Sequence, residues 1–200
     1  MPYRFRQHES ASTALRRVAA EEMDRAVSFL QSEKRSTEFR VHEARKACKK
    51  IRALLRLAQR PLKAESIFKK ENRWFRDTAR ELARLRDADA TRECIRRLQR
   101  SDAADAPSRA ALAALQVALG RGKPTSSSQS DAQAALQRAA ERFMTAHSRL
   151  NRWPNDHDAG FEYSQDGFRK CYRKARKAMQ RAAAEPTVEH MHEWRKGVKD

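Results

Sequence analysis

Apolar residues in this 200-residue chain return every third or fourth position almost from end to end, and no stretch alternates β-branched with polar residues. That period belongs to the α-helix, whose side chains advance by about 100° per residue, and it leaves no room for a sheet. The chain is therefore expected to be all-α. A first helix is expected over 11–32, on Leu15, Val18, Ala19, Met23, Ala26, Val27 and Leu30. Ser36 or Thr37 offers an N-cap for a second, which Pro61 should stop at Arg60. A third is expected over 64–85, with Ile67, Phe68, Phe75, Ala79, Leu82 and Leu85 as its stripe, and a fourth over 87–100. A polar connection at 101–108 then leads to a short Ala/Leu helix over 110–119. Helices over 131–152 and 163–184 follow, and a last one opens at Pro186 and Thr187. The Gly/Pro/Ser stretch 121–130 reads as a linker between a first helical bundle, 1–120, and a second, 131–200.

Charge narrows the function. The 44 Lys and Arg against 26 Asp and Glu leave a net charge of +18, which favours a polyanionic partner. With 40% hydrophobic residues the chain is too apolar for a disordered basic tail, and its mean hydropathy of -0.94 is too low for membrane insertion. No apolar stretch near the N-terminus reads as a signal peptide, so a cytoplasmic location is expected. Cys48, Cys94 and Cys171 are far apart and form no Cys-x-x-Cys pair, so they are expected to be buried, reduced thiols.

The most informative pattern is a repeat. Residues 41–49, VHEARKACK, return at 191–199 as MHEWRKGVK, with His, Glu, Arg, Lys and Lys in register. The expected origin is a duplicated helical unit, which predicts two bundles related by a pseudo-twofold axis. On the first copy's helix, His42, Arg45, Lys46, Lys49, Arg52, Arg56 and Arg60 share one arc, while Ala44, Ala47, Cys48, Ile51, Leu54, Leu55 and Ala58 share the other. A solvated face normally mixes charge signs at i,i+4, whereas this arc carries no acid, and like charges at that spacing repel. An anion that compensates them is the simplest reason for such a face. The segment 168–181 repeats the logic: Phe168, Cys171, Tyr172, Ala175, Ala178 and Met179 form its packing stripe. Arg169, Lys170, Arg173, Lys174, Arg176, Lys177 and Arg181 take the remainder. Arg73, Arg76, Arg80 and Arg84 form a third row, but Asp77, Glu81 and Asp87 are available to neutralise it.

The doubled His-x-x-Arg-Lys-x-x-Lys helix, the Arg-Asp-Ala-Asp segment at 86–89 and the Tyr-Arg-x-x-Arg-Lys helix at 172–177 occur in an order that resembles the CHAD family, named for a conserved histidine α-helical domain. The resemblance spans nearly the whole chain from Ala11. It implies two four-helix bundles about a pseudo-twofold axis, a basic groove that binds inorganic polyphosphate, and in some members residence on polyphosphate granules. His42, Arg45, Lys46 and Lys49 match the family's first motif, and His192, Arg195, Lys196 and Lys199 match its second. Arg52 and Arg56 fall where the family continues its basic helix, and Tyr172, Arg173, Arg176 and Lys177 match the helix before the second motif. Two departures stand out. The family pattern continues past the second motif, so the second bundle is expected to be incomplete, either by truncation or because a partner supplies the packing. The Glu-x-Glu-x-Lys mark of the triphosphate-tunnel domain carried by many relatives is absent, so no catalysis is expected.

Other chemistries fit less well. His-Glu-x-x-His zinc sites need a second histidine where this chain has Lys46 and Lys196, which repel a cation, so neither metal nor cofactor is expected. Nucleic acid is the alternative partner, bound non-specifically by the same basic faces, although 7% aromatic residues and the lack of a helix-turn-helix, RNP or zinc signature argue against base reading. Trp74, Trp153 and Trp194 are expected in or beside the core. A scaffold that also recruits a granule-associated protein is compatible with polyphosphate binding.

Overall fold

The computed structural model describes residues 3–64, 66–85, 94–95, 97–100, 105–120 and 126–199. Among them the only regular elements are helical: α1 Ala11–Gln31, α2 Thr37–Leu57, α3 Gln59–Ala64, α4 Ile67–Arg84, α5 Ala106–Gly120, α6 Ser126–Ser148, a 3-10 turn Arg149–Arg152, α7 Glu162–Ala184 and α8 Val188–Lys199. The fold is all-α. The expected fourth helix lies mostly outside the described residues, as does the Arg-Asp-Ala-Asp segment at 86–89.

Local chemistry sets most boundaries. Ser10 and Ser36 cap α1 and α2, their hydroxyls accepting from the backbone N–H groups of Thr13 and Phe39. Pro61 does not act as the expected stop. The α2 helix already ends at Leu57, and Pro61 sits in the first turn of α3, where a missing N–H costs nothing. Ser66, at φ 57, then reverses the chain into α4. The Ala/Leu helix begins earlier than the periodicity suggests because the Asp105 carboxylate accepts from Ser108 N–H at 2.8 Å, an N-cap ahead of Pro107.

Helices α1, α2, α4 and α6 close a four-helix bundle in which α1 packs on α2 and α6, and α4 packs on the same two. Helix α6, which begins inside the 121–130 segment expected as a linker, therefore shares one core with helices that precede that segment. At its centre Phe75 of α4 meets Phe143 of α6 with ring centroids 5.8 Å apart, and Leu15, Met23, Ile51, Leu55, Leu82 and Leu136 are fully buried around them. Each contributes roughly 1.5–3 kcal/mol of burial. Cys48 is buried within this core, Cys171 is half-buried, and Cys94, contrary to expectation, is exposed; all three are free thiols.

The α7–α8 hairpin attaches to the outside of the bundle, α7 crossing α2 and α3. Two features fix that crossing. The loop before α7 is tied to the start of α1, where Ala11 N–H donates to Ala159 C=O at 2.8 Å and the Ser12 hydroxyl donates to Asp156 C=O. At the crossing itself Gly167 lies against the backbone carbonyls of Arg56 and Leu57, an approach that any Cβ would block.

Candidate functional site

Helix α2 presents the first motif as anticipated. Val41, Ala44, Cys48 and Ile51 are buried, while His42, Lys46 and Lys49 are exposed and Arg45, Arg52 and Arg56 are half-buried along its outer side. The arc is not free of acid, however. Lys46 pairs with Glu43 one turn earlier at 2.6 Å, and Arg60 reaches Asp166 of α7 at 3.3 Å. Arg52 donates through Nε to Asn72 of α4 at 2.9 Å. Neighbouring Lys50 pairs at 3.0 Å with Glu22, a carboxylate buried between α1 and α2, and lies 5.0 Å from the Tyr3 ring centroid. Burial against Glu22 pushes the Tyr3 phenol up to about 12.

The second motif repeats the local pairing. Lys196 meets Glu193 at 2.6 Å and holds that carboxyl below the usual range. His192 and Arg195 are exposed on α8, and the Lys199 side chain lies outside the described residues. The α8 helix packs mainly on α7, so the two motifs are linked through α7.

Among the described residues, helix α7 carries many cations without an ion pair, although Lys174 lies near Glu193 of α8. Arg169, Lys170, Arg173, Arg176, Lys177 and Arg181 are exposed, and none makes an ion pair or side-chain hydrogen bond with a described residue. Tyr172, also exposed, stacks near-parallel on Phe168, with interplanar angle 12° and ring centroids 6.5 Å apart. The third row, on α4, is neutralised by its acids only in part: Asp77 pairs with Arg76 at 2.9 Å and Arg80 at 3.8 Å, Glu81 pairs instead with Arg138 of α6, and Asp87 lies outside the described residues. The arginines beside Asp77 hold its carboxyl below the usual range.

Where α2, α7 and α8 meet, the surface is not basic. Ala53 and Leu57 of α2, Phe168, Tyr172 and Met179 of α7, and Trp194 and Val198 of α8 line an open groove of about 590 Å³, with Arg176 the one charged side chain among its described lining residues. Apart from Arg176, the cations lie around this groove rather than in it.

Sequence reasoning missed a second arginine cluster. Arg142 and Arg149 lie over Trp74, 4.2 and 4.4 Å from its ring. Arg149 also donates to both oxygens of Glu71, buried at 3% exposure, at 2.7 and 2.8 Å. Trp74 is thus a cation platform at the α4–α6 seam instead of a plain core residue; Trp153 is buried as expected. Nothing local in the sequence signals the cluster, because Glu71 and Arg149 are 78 positions apart.

Among the described residues no group of three or more His, Cys, Asp and Glu is placed to hold a metal ion, and no helix is long and apolar enough to cross a membrane. No curated protein and no solved structure matches the chain. The sequence pattern described as the CHAD domain matches residues 18–200, which takes in both histidine motifs, the α7 cations and the four helices of the bundle apart from the first seven residues of α1. With more than nine-tenths of its length covered, the chain belongs to the CHAD domain family.

Proposed function

We propose that this chain is a non-catalytic module that binds inorganic polyphosphate along the basic faces of α2 and α7, and that this binding directs it to polyphosphate granules in the cytoplasm. The CHAD domain is associated with polyphosphate binding in general. The observation that carries the reading is six exposed cations on α7, Arg169, Lys170, Arg173, Arg176, Lys177 and Arg181, that make no ion pair with a described residue. Six like charges on one helix repel one another, and a polyanion converts that repulsion into attraction. A chain of phosphates offers only oxygens at roughly one negative charge per unit. Arg173 and Arg176 can each grip two oxygens through the planar guanidinium, while Lys170 and Lys177 act as mobile point charges. His42, Arg45 and Lys49 on α2, with His192 and Arg195 on α8, extend the surface beyond α7. Lys46 and Lys196 are held by Glu43 and Glu193 and contribute less.

One observation favours a second reading. The exposed Tyr172–Phe168 pair offers a platform on which a nucleobase can stack, so single-stranded nucleic acid is the competing ligand.

The test is binding of labelled polyphosphate at about 0.15 M salt, where exposed charges are well screened, against excess duplex DNA and tRNA. Retention of polyphosphate supports the proposal; equal displacement by nucleic acid transfers the site to the second reading. A salt series locates the site. For flexible polyanions the slope of log K on log salt is roughly -0.7 per cation engaged. Arg173→Ser with Lys177→Ser should therefore flatten it by about 1.4, and an unchanged slope removes α7 from the interface.

A further inference from the structure

Residues 3–9 precede the span that the CHAD pattern matches, which begins at residue 18, yet they are fastened to both α1 and α2. The Tyr3 hydroxyl donates to Lys50 C=O of α2 at 3.1 Å, and the Tyr3 ring centroid lies 5.0 Å from the Lys50 ammonium. Helix α1 holds the rest. Arg17 donates to Arg4 C=O at 3.0 Å and to both Glu9 oxygens at 2.7 Å, and the Arg6 backbone N–H also donates to Glu9, at 3.1 Å. The Arg17 and Glu9 side chains are only 18% and 11% exposed, so this tether is largely shielded from solvent. It also engages the acids nearby. Arg17 takes Glu21 at 2.7 Å and leaves Arg6 the same carboxylate at 3.4 Å, while Glu22 is held by Arg25 and Lys50 at 2.8 and 3.0 Å. Arg4 is exposed and has no ionic partner among the described residues.

We propose that residues 3–9 form a strap that adds Arg4 and Arg6 to the polyphosphate-binding surface beside α2, with Tyr3 as the positioning residue that pins it there. This rests on the polyphosphate reading above and extends that site beyond the family pattern. Location is the first support. Tyr3 lies within reach of the Arg56 charge on the basic side of α2, and Arg4 follows it at one Cα step of about 3.8 Å. Order is the second. An arginine on a loose segment has to be immobilised by its ligand, which weakens binding, whereas the backbone around Arg4 and Arg6 is already fixed by Tyr3, Arg17 and Glu9. Chemistry is the third. A guanidinium grips two phosphate oxygens at once, and the 3.4 Å contact of the 66% exposed Arg6 with a carboxylate already engaged by Arg17 is one that a phosphate can replace.

The test is a salt series of labelled-polyphosphate binding on the full chain and on variants of the strap. Arg4→Ser with Arg6→Ser should flatten the slope of log K on log salt by about 1.4 and weaken binding at about 0.15 M salt by about tenfold. Tyr3→Ala removes no charge, yet it should weaken binding at least about threefold, because the released arginines must then be ordered by the ligand. Tyr3→Phe keeps the ring against Lys50 and should stay within about twofold of the unaltered chain. Tyr3, Arg4 and Arg6 are all exposed, so the bundle stays folded in every variant, which circular dichroism checks. An unchanged slope in the arginine pair, or unchanged affinity in Tyr3→Ala, overturns the strap assignment and leaves binding by α2 and α7 standing. If the unaltered chain itself does not retain polyphosphate, the proposed function fails and the strap assignment fails with it.

Discussion

Replacing Gly167 with alanine tests the placement of α7 through the sign of its effect. A Cβ at Gly167 would lie 2.6 Å from Leu57 Cα and closer still to the carbonyl oxygens of Arg56 and Leu57. Ordinary carbon contacts need about 3.5 Å, so the helices would have to separate by on the order of 1 Å. Every obstructing atom is backbone, and no rotamer change relieves the clash. Forcing a methyl into such a contact costs roughly 1–3 kcal/mol, and an obstruction by rigid backbone belongs at the upper end. Against this, alanine is favoured over glycine in a helix interior by about 1 kcal/mol. The net expectation is a loss of about 2 kcal/mol, concentrated in the hairpin.

Urea denaturation gives the global number and amide hydrogen exchange its location. Amides of α7 and α8 should lose protection while those buried in α1, α2, α4 and α6 keep theirs, because the four-helix core closes without the hairpin. Gly197→Ala serves as the milder comparison, since its Cβ would meet Ala175 Cα at 3.0 Å within the hairpin. If Gly167→Ala leaves stability unchanged or raises it by the propensity gain, α7 does not cross α2 at Gly167, and the groove assigned between them is wrong.

Three further perturbations probe other parts of the structure. Glu71→Gln should cost about 3 kcal/mol in chemical denaturation, because it leaves the largely covered Arg149 guanidinium without its buried carboxylate; a loss within about 0.5 kcal/mol would mean the pair is solvated. A thiol reagent at pH 8 should modify Cys94 rapidly and Cys48 only on unfolding, since burial pushes the Cys48 thiol up to about 12; equal rates at the two would contradict the core assignment. Arg17 donates to both Glu9 oxygens at 2.7 Å and holds that carboxyl below the usual range. The stability it contributes is present above the unfolded carboxyl value near 4.3 and is lost as pH falls through the lower folded value. Wild-type stability should therefore drop more than that of Glu9→Gln between about pH 5 and pH 3, and parallel profiles would refute the linkage.

What the sequence could and could not reveal follows from how far apart the interacting residues are. The helices were legible because three- and four-residue spacing is local, and so were the two faces of α2, where Val41, Ala44, Cys48 and Ile51 are buried as the periodicity predicts. The N-cap at Asp105 was equally local but was hidden by Pro107, read as part of a connection when it is a first-turn proline. Membership of α6 in the bundle with α1 had no local signal, since its stripe of Leu136, Ala139 and Phe143 fits any apolar neighbour.

The cationic faces divide the same way. A run without acids can be read along the chain, but whether it stays uncompensated depends on carboxylates delivered by other helices. Asp166 reaches Arg60, which the structure places on α3, from 106 positions away, and Glu22 reaches Lys50, beside the α2 arc, from 28, so cations of this stretch are neutralised by residues that no helical wheel of α2 contains. Six cations of α7 stay without an ion pair among the described residues because the hairpin lies outside the bundle, where Glu193 of α8 pairs with its own Lys196 and lies near Lys174 alone of the α7 run. Under the proposed function, anion binding is therefore strongest where packing leaves cations without an ion pair. That criterion is tertiary, and under the proposed function it ranks α7 above the two histidine motifs.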